Sequence, residues 1–130
     1  MNKSDILKGF NNQLEEFLND LINIFPKDNE IKTLRISLLG FRKINPKLII
    51  EGWKLYINDF YYDEILGGNL KFFIEKDYKK DIGNANFKND ILKKIDELKS
   101  VINTITHENK NKTVKYVQNL SKLTKLYYEE

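Results

Sequence analysis

Six large apolar residues, Leu7, Phe10, Leu14, Phe17, Leu21 and Ile24, recur at alternating spacings of three and four. Only a helix gathers such positions on one side, because a strand would need alternation by two. Leu18, Ile22 and Phe25 widen the stripe beyond the narrow seam of a two-stranded coiled coil, so this helix belongs against a globular core. Ser4 is suited to cap its start, with Asp5 at the positive end of the helix dipole, and Pro26 ends it.

The same period continues along the chain. Asp28 or Asn29 opens a second helix with Ile31, Leu34, Leu38 and Phe41 on one face and Ile44 near its end. Asn45-Pro46 reads as a stop followed by a start, with Asn as the cap and Pro at the first helical position. The third helix takes residues 47–60, with Ile49, Ile50, Trp53, Tyr56, Ile57 and Phe60 facing inward, and continues through residues 61–66 with a kink. Gly67-Gly68-Asn69 is a turn. Residues 70–74 suit a short helix better than a strand, since no second strand-like run exists to pair with them. Asn89 or Asp90 starts another helix with Ile91, Ile95, Leu98, Ile102 and Ile105 on one stripe. A polar break at residues 107–112 then precedes a last helix bearing Val114, Val117, Leu120, Leu123 and Tyr127. Short links between amphipathic helices make neighbours antiparallel. The expected fold is all-α, a compact antiparallel bundle of five or six helices in one domain spanning residues 1–130.

Composition narrows the chemistry. There is no cysteine, hence no disulfide, no thiolate nucleophile and no Cys-based zinc site. The one histidine, His107, sits beside Glu108 in the polar break, without the companions that a metal or a catalytic pair requires. Asp77 and Asp81 share a helical face, but Lys76, Lys79 and Lys80 interleave with them as in a solvated, ion-paired turn. Gly67-Gly68 lacks both the lysine ending and the preceding strand of a phosphate loop. No catalytic residue, metal or cofactor is therefore expected, and the chain reads as a non-enzyme. The first residues carry no apolar h-region, and no run approaches the ~20 apolar residues of a membrane span. A soluble intracellular protein, away from membranes, is the expectation.

Two surfaces remain. Half of the sixteen aromatic residues crowd into residues 53–78: Trp53, Tyr56, Phe60, Tyr61, Tyr62, Phe72, Phe73 and Tyr78. Adjacent residues on a helix point about 100° apart, so both members of the pairs Tyr61-Tyr62 and Phe72-Phe73 cannot be buried equally. Those four residues are the expected protein–protein interface, and a homodimer is its simplest product. The alternative is nucleic-acid binding or packaging by the last helix. Lys112, Lys115, Lys122 and Lys125 meet no acidic residue between Glu108 and Glu129, and Lys115, Lys122 and Gln118 fall opposite the valine–leucine stripe, with Tyr116 beside them. The chain has twenty lysines and only two arginines, with sixteen Ile and sixteen Asn, a usage that reports A/T-rich codons as much as function.

Several strings carry a resemblance. They are Phe10-Asn11-Asn12-Gln13-Leu14 leading to Ile24-Phe25-Pro26, and the stretch from Ile50 to Tyr56 around Trp53. Phe72-Phe73-Ile74-Glu75-Lys76-Asp77-Tyr78 and Tyr116-Val117-Gln118-Asn119-Leu120-Ser121-Lys122-Leu123 complete the set. Together these resemble a family of short uncharacterised proteins of nucleocytoplasmic large DNA viruses, the giant-virus group. The resemblance implies a setting, namely the host cytoplasm, a viral factory or the virion, and it transfers no catalytic residue. The sequence is thus read as a non-catalytic viral interaction or structural protein.

Overall fold

Asn2, not Ser4, caps the first helix: its side-chain oxygen accepts from the Asp5 N–H at 2.9 Å, and α1 runs Lys3–Ile24. Residues 2–68 and 86–129 are described by the computed structural model, and they form helices and short turns with no strand among them. Phe25 leaves helical geometry ahead of Pro26, as the restricted conformation before a proline requires. Asp28 then caps α2 (Asn29–Ile44) by accepting from the Glu30 and Ile31 N–H groups. Asn45 closes α2, and its side chain accepts from the Lys47 N–H at 3.0 Å, so the chain reverses over two residues before α3 (Leu48–Trp53) begins. A π-helical segment (Lys54–Asn58) joins α3 directly to α4 (Asp59–Leu66), making one rod with a kink at Tyr61. Gly67 caps α4, and Gly68 follows at φ +83°, a conformation that glycine adopts without strain.

The last rod corrects the sequence reading. α5 is a single helix, Asn86–Glu129, so the break expected at residues 107–112 does not exist. Its residues are polar, but none is Gly or Pro, and lysine is a good helix former, so nothing stops propagation. The described residues therefore make four rods: α1, α2, α3–α4 and α5. The short helix expected at residues 70–74 lies outside them.

Contacts along the rods set their directions. Asn12 and Asn19 of α1 meet Arg42 and Arg35 of α2, an antiparallel pairing. Lys3 lies against Tyr127, and Phe17 against Tyr116, so α5 runs antiparallel to α1. Trp53 meets Ser121 and Gln118 meets Leu66, so α5 is antiparallel to α3–α4 as well. At 44 residues against 22, α5 is twice as long as α1, about 66 Å against about 33 Å. Its C-terminal half lies between α1 and α3–α4. Farther up, Leu98 is buried and Val101 packs on the core, leaving a groove of about 430 Å³ against the start of α2.

The core is continuous across all four rods. Phe10, Leu14, Phe17, Leu18 and Leu21 fill it from α1, as their spacing requires. Ile31, Leu34 and Leu38 do so from α2, whereas Ile44 is 68% exposed. Each three-residue step from Leu38 to Phe41 to Ile44 falls about 60° short of a full turn, which carries Ile44 off the buried face.

Candidate functional site

The aromatic segment is shaped by the π-helical turn within it. The Asp59 N–H bonds the carbonyl of Lys54, five residues back instead of four. A turn of that width holds one extra residue and moves the register of everything after it. Trp53, Tyr56 and Ile57 face inward as expected, but the next inward residues are Tyr61 and Ile65. Phe60, expected in the core, is 49% exposed, and Tyr61, expected at the surface, is buried. Tyr62 is half-buried, while Phe72 and Phe73 lie outside the described residues.

Polar groups of α5 hold this rod in place. The Trp53 indole donates to Ser121 Oγ at 3.0 Å, both side chains being buried, and its ring meets Phe10 edge-on with centroids 6.1 Å apart. The Asn58 side-chain amide donates to the Ser121 carbonyl at 2.9 Å. Gln118 Nε2 donates to the carbonyls of Ile65 and Leu66, both at 3.1 Å, satisfying two acceptors that the end of α4 leaves open. Thr124 returns its hydroxyl to the Leu120 carbonyl at 2.7 Å. Thr113, Ser121 and Thr124 are all buried, a polar seam that the valine–leucine stripe of α5 does not announce. The Tyr56 hydroxyl and Asn58 Oδ1 are buried on the same rod with no hydrogen-bond partner, and burial pushes the Tyr56 phenol up from its usual range.

A groove of about 250 Å³ opens between the π-helical turn and the end of α5. Lys125 lies over the Tyr62 ring, 4.8 Å from its centroid, and pairs with Glu129 at 3.8 Å. Lys54 lies 5.4 Å over Tyr128 and pairs with Asp59 at 3.2 Å. Each tyrosine face is thus covered by a lysine that is itself neutralised. The Tyr128 phenol is pushed up to about 12, by burial first and then by Glu51, Tyr127 and Asp59. It stays protonated and is poorly suited to act as a base or nucleophile near neutrality.

The alternative, lysine-based surface is smaller than its sequence implies. Lys112 pairs with Asp20 at 3.3 Å. Tyr116 is buried, stacked on Phe17 at 4.8 Å, and donates its hydroxyl to Asp20, so it is not beside the lysines at the surface. Gln118 is turned inward onto α4, and Lys125 is engaged at the groove. Lys115 and Lys122 are exposed, with no acidic partner among the described residues. Both arginines serve the α1–α2 contact: Arg35 and Arg42 each bond one oxygen of Glu15, at 3.4 and 3.2 Å, flanked by Asn19 and Asn12.

Among the described residues no group of three or more His, Asp or Glu side chains is placed to hold a metal ion. None of their helices is long and apolar enough to cross a membrane. No family model, no curated protein and no solved structure matches the chain.

Proposed function

We propose that this chain is a non-catalytic viral interaction protein that acts through protein–protein contacts centred on the aromatic segment and associates with itself, in the host cytoplasm, a viral factory or the virion. The observation that carries this reading is the outward stripe of the α3–α4 rod. Leu55, Phe60 and Leu66 are 36%, 49% and 38% exposed there, next to the half-buried Tyr62. Large apolar side chains gathered on one exposed face are what interfaces use as anchors. The π-helical turn contributes directly, because its extra residue is what points Phe60 outward. Tyr62 and Phe60 take the place that the sequence reading gave to Tyr61, and Phe72 and Phe73 stay within the proposal. The test is light scattering on the purified chain over a range of concentrations, with Phe60→Ser and Leu66→Ser as probes. Association should appear in the parent and weaken in the variants at unchanged helix content. A parent that remains monomeric and retains no partner through purification would refute the reading.

Nucleic-acid binding is the second reading, supported by the exposed and unpaired Lys115 and Lys122 on the outward face of α5. Contacts to phosphates release counterions, so binding should fall steeply from low to physiological salt and be lost in Lys115→Gln/Lys122→Gln. Absence of any shift of DNA or RNA at low salt would end it.

A further inference from the structure

Charge is segregated between two consecutive rods. Residues 27–47 hold six basic and two acidic groups, a net +4, and residues 48–68 hold one basic and four acidic groups, a net −3. The segregation persists at the surface. The outward face of α2 carries Lys32, Ile36, Lys43 and Ile44 within an arc of about 120°. All four are exposed, the isoleucines at 69% and 68%. Gly40 lies between the isoleucines with open space where a Cβ would project. The two lysines have no acidic partner among the described residues, since the nearby arginines alone take Glu15. The outward stripe of α3–α4 has the opposite sign: Glu51, Leu55, Asp63 and Leu66 are exposed, and the stripe's one cation, Lys54, is held by Asp59.

We infer that these two faces are the halves of one contact, made head to tail between copies of this chain, with α2 of one molecule laid on the α3–α4 stripe of the next. The inference rests on the self-association proposed above and specifies its geometry. Each face alternates charged and apolar side chains in the same order, Lys32, Ile36, Lys43 and Ile44 on α2 against Glu51, Leu55, Asp63 and Leu66 on α3–α4. The charges run over matching lengths, about 16 Å from Lys32 to Lys43 and about 18 Å from Glu51 to Asp63, at 1.5 Å per residue. A two-fold pairing of α2 with α2 would set lysine against lysine, and α3–α4 with α3–α4 would set carboxylate against carboxylate. Opposite charges meet only when unlike faces meet. Made once between neighbours, head to tail, the contact leaves one of each face free at the ends and propagates into a ring or an open filament, whereas the same contact made twice about a two-fold axis would stop at the dimer.

Sedimentation velocity on the full chain tests this, with circular dichroism confirming that each variant keeps its helix content. Wild-type protein should form species above the dimer that grow with concentration and shrink with added salt. Lys32→Glu/Lys43→Glu and Glu51→Lys/Asp63→Lys should each need about tenfold more protein, or greater, to associate, because both now oppose like charges. Mixing the two variants should restore association, and so should all four reversals in one chain. If wild-type associates and either variant matches it, the contact lies elsewhere and this inference falls while self-association stands. Assembly that ends at the dimer, or variants that fail to complement, overturns it in the same way. A wild-type chain that stays monomeric at every concentration and salt overturns both, including the case where α2 instead binds anionic vesicles.

Discussion

α1 touches its two principal neighbours in different ways. Against α2 it uses regular helix, with apolar residues at the expected spacing and a half-exposed clamp in which Glu15 joins Arg35 and Arg42. Against the region where α3–α4 meets α5, the core contains a π-helical turn, a buried indole-to-hydroxyl hydrogen bond and a run of buried hydroxyls. The first region obeys the period of its sequence, and the second departs from it. Buried polar atoms without partners occur in both, Tyr56 OH and Asn58 Oδ1 in the second and Asn11 Oδ1 on α1 itself, so they do not mark the departure. What it achieves is an outward-pointing Phe60. Regularity serves the frame of the bundle, and the irregular region turns an aromatic ring toward solvent.

Deleting one residue from each region should separate them most sharply. Loss of the exposed Glu16 would rotate the rest of α1 by about 100° and unhook Phe17, Leu18 and Leu21 from the core, so the cooperative thermal transition should disappear. Loss of Leu55 should return the π-helical turn to α-helix with the downstream faces unchanged, and the transition should survive. If both deletions unfold the protein, the wide turn is not a one-residue insertion.

Next in size come the large buried side chains. Trp53→Ala and Leu14→Ala should cost about 3–5 and about 2–5 kcal/mol in urea unfolding, one probing each region. Ser121→Ala should cost about 1–3 kcal/mol, because it strands the indole N–H of Trp53 in the core. In the α1–α2 clamp Glu15→Gln should cost no more than about 1 kcal/mol, since all three charged groups are about one-third exposed. A clamp variant as damaging as Ser121→Ala would reverse the comparison.

The mildest probe is alkali. Burial first, then the hydrogen bond and charge of Asp20, raise the Tyr116 phenol above its ordinary 10.0 in the folded protein. The unfolded chain therefore loses this proton first, so the associated stability is complete below about pH 10 and is lost as pH rises beyond it. Tyr116→Phe should flatten that decline, measured as urea midpoints across the alkaline range. An unchanged slope would show that Asp20 does not hold the phenol.

Much of the frame can be read from residue spacing. Pro26, Asp28 and the Leu14 stripe set α1 and α2 almost to the residue, because caps and apolar periodicity are local. The seam cannot be read that way. Thr113, Ser121 and Thr124 look like solvent-facing positions, yet all three are buried, Ser121 beneath Trp53 and Asn58 from another rod. Tyr116 likewise looks exposed beside its lysines until Phe17 and Asp20 claim it. The π-helical turn is a tertiary outcome too: Phe60 and Tyr61 are both aromatic, and nothing local states which should face in.

The position of Trp53 has one more consequence. It is the chain's sole tryptophan, and it sits where α1, α3 and α5 meet, edge-on to Phe10 and bonded to Ser121. The emission of the unlabelled protein therefore reports from one junction only. Loosening of the rod that presents Phe60 should red-shift that emission as water reaches the indole, while an opened Glu15 clamp should leave it dark to the change. The molecule carries its own optical sensor, placed in the irregular half.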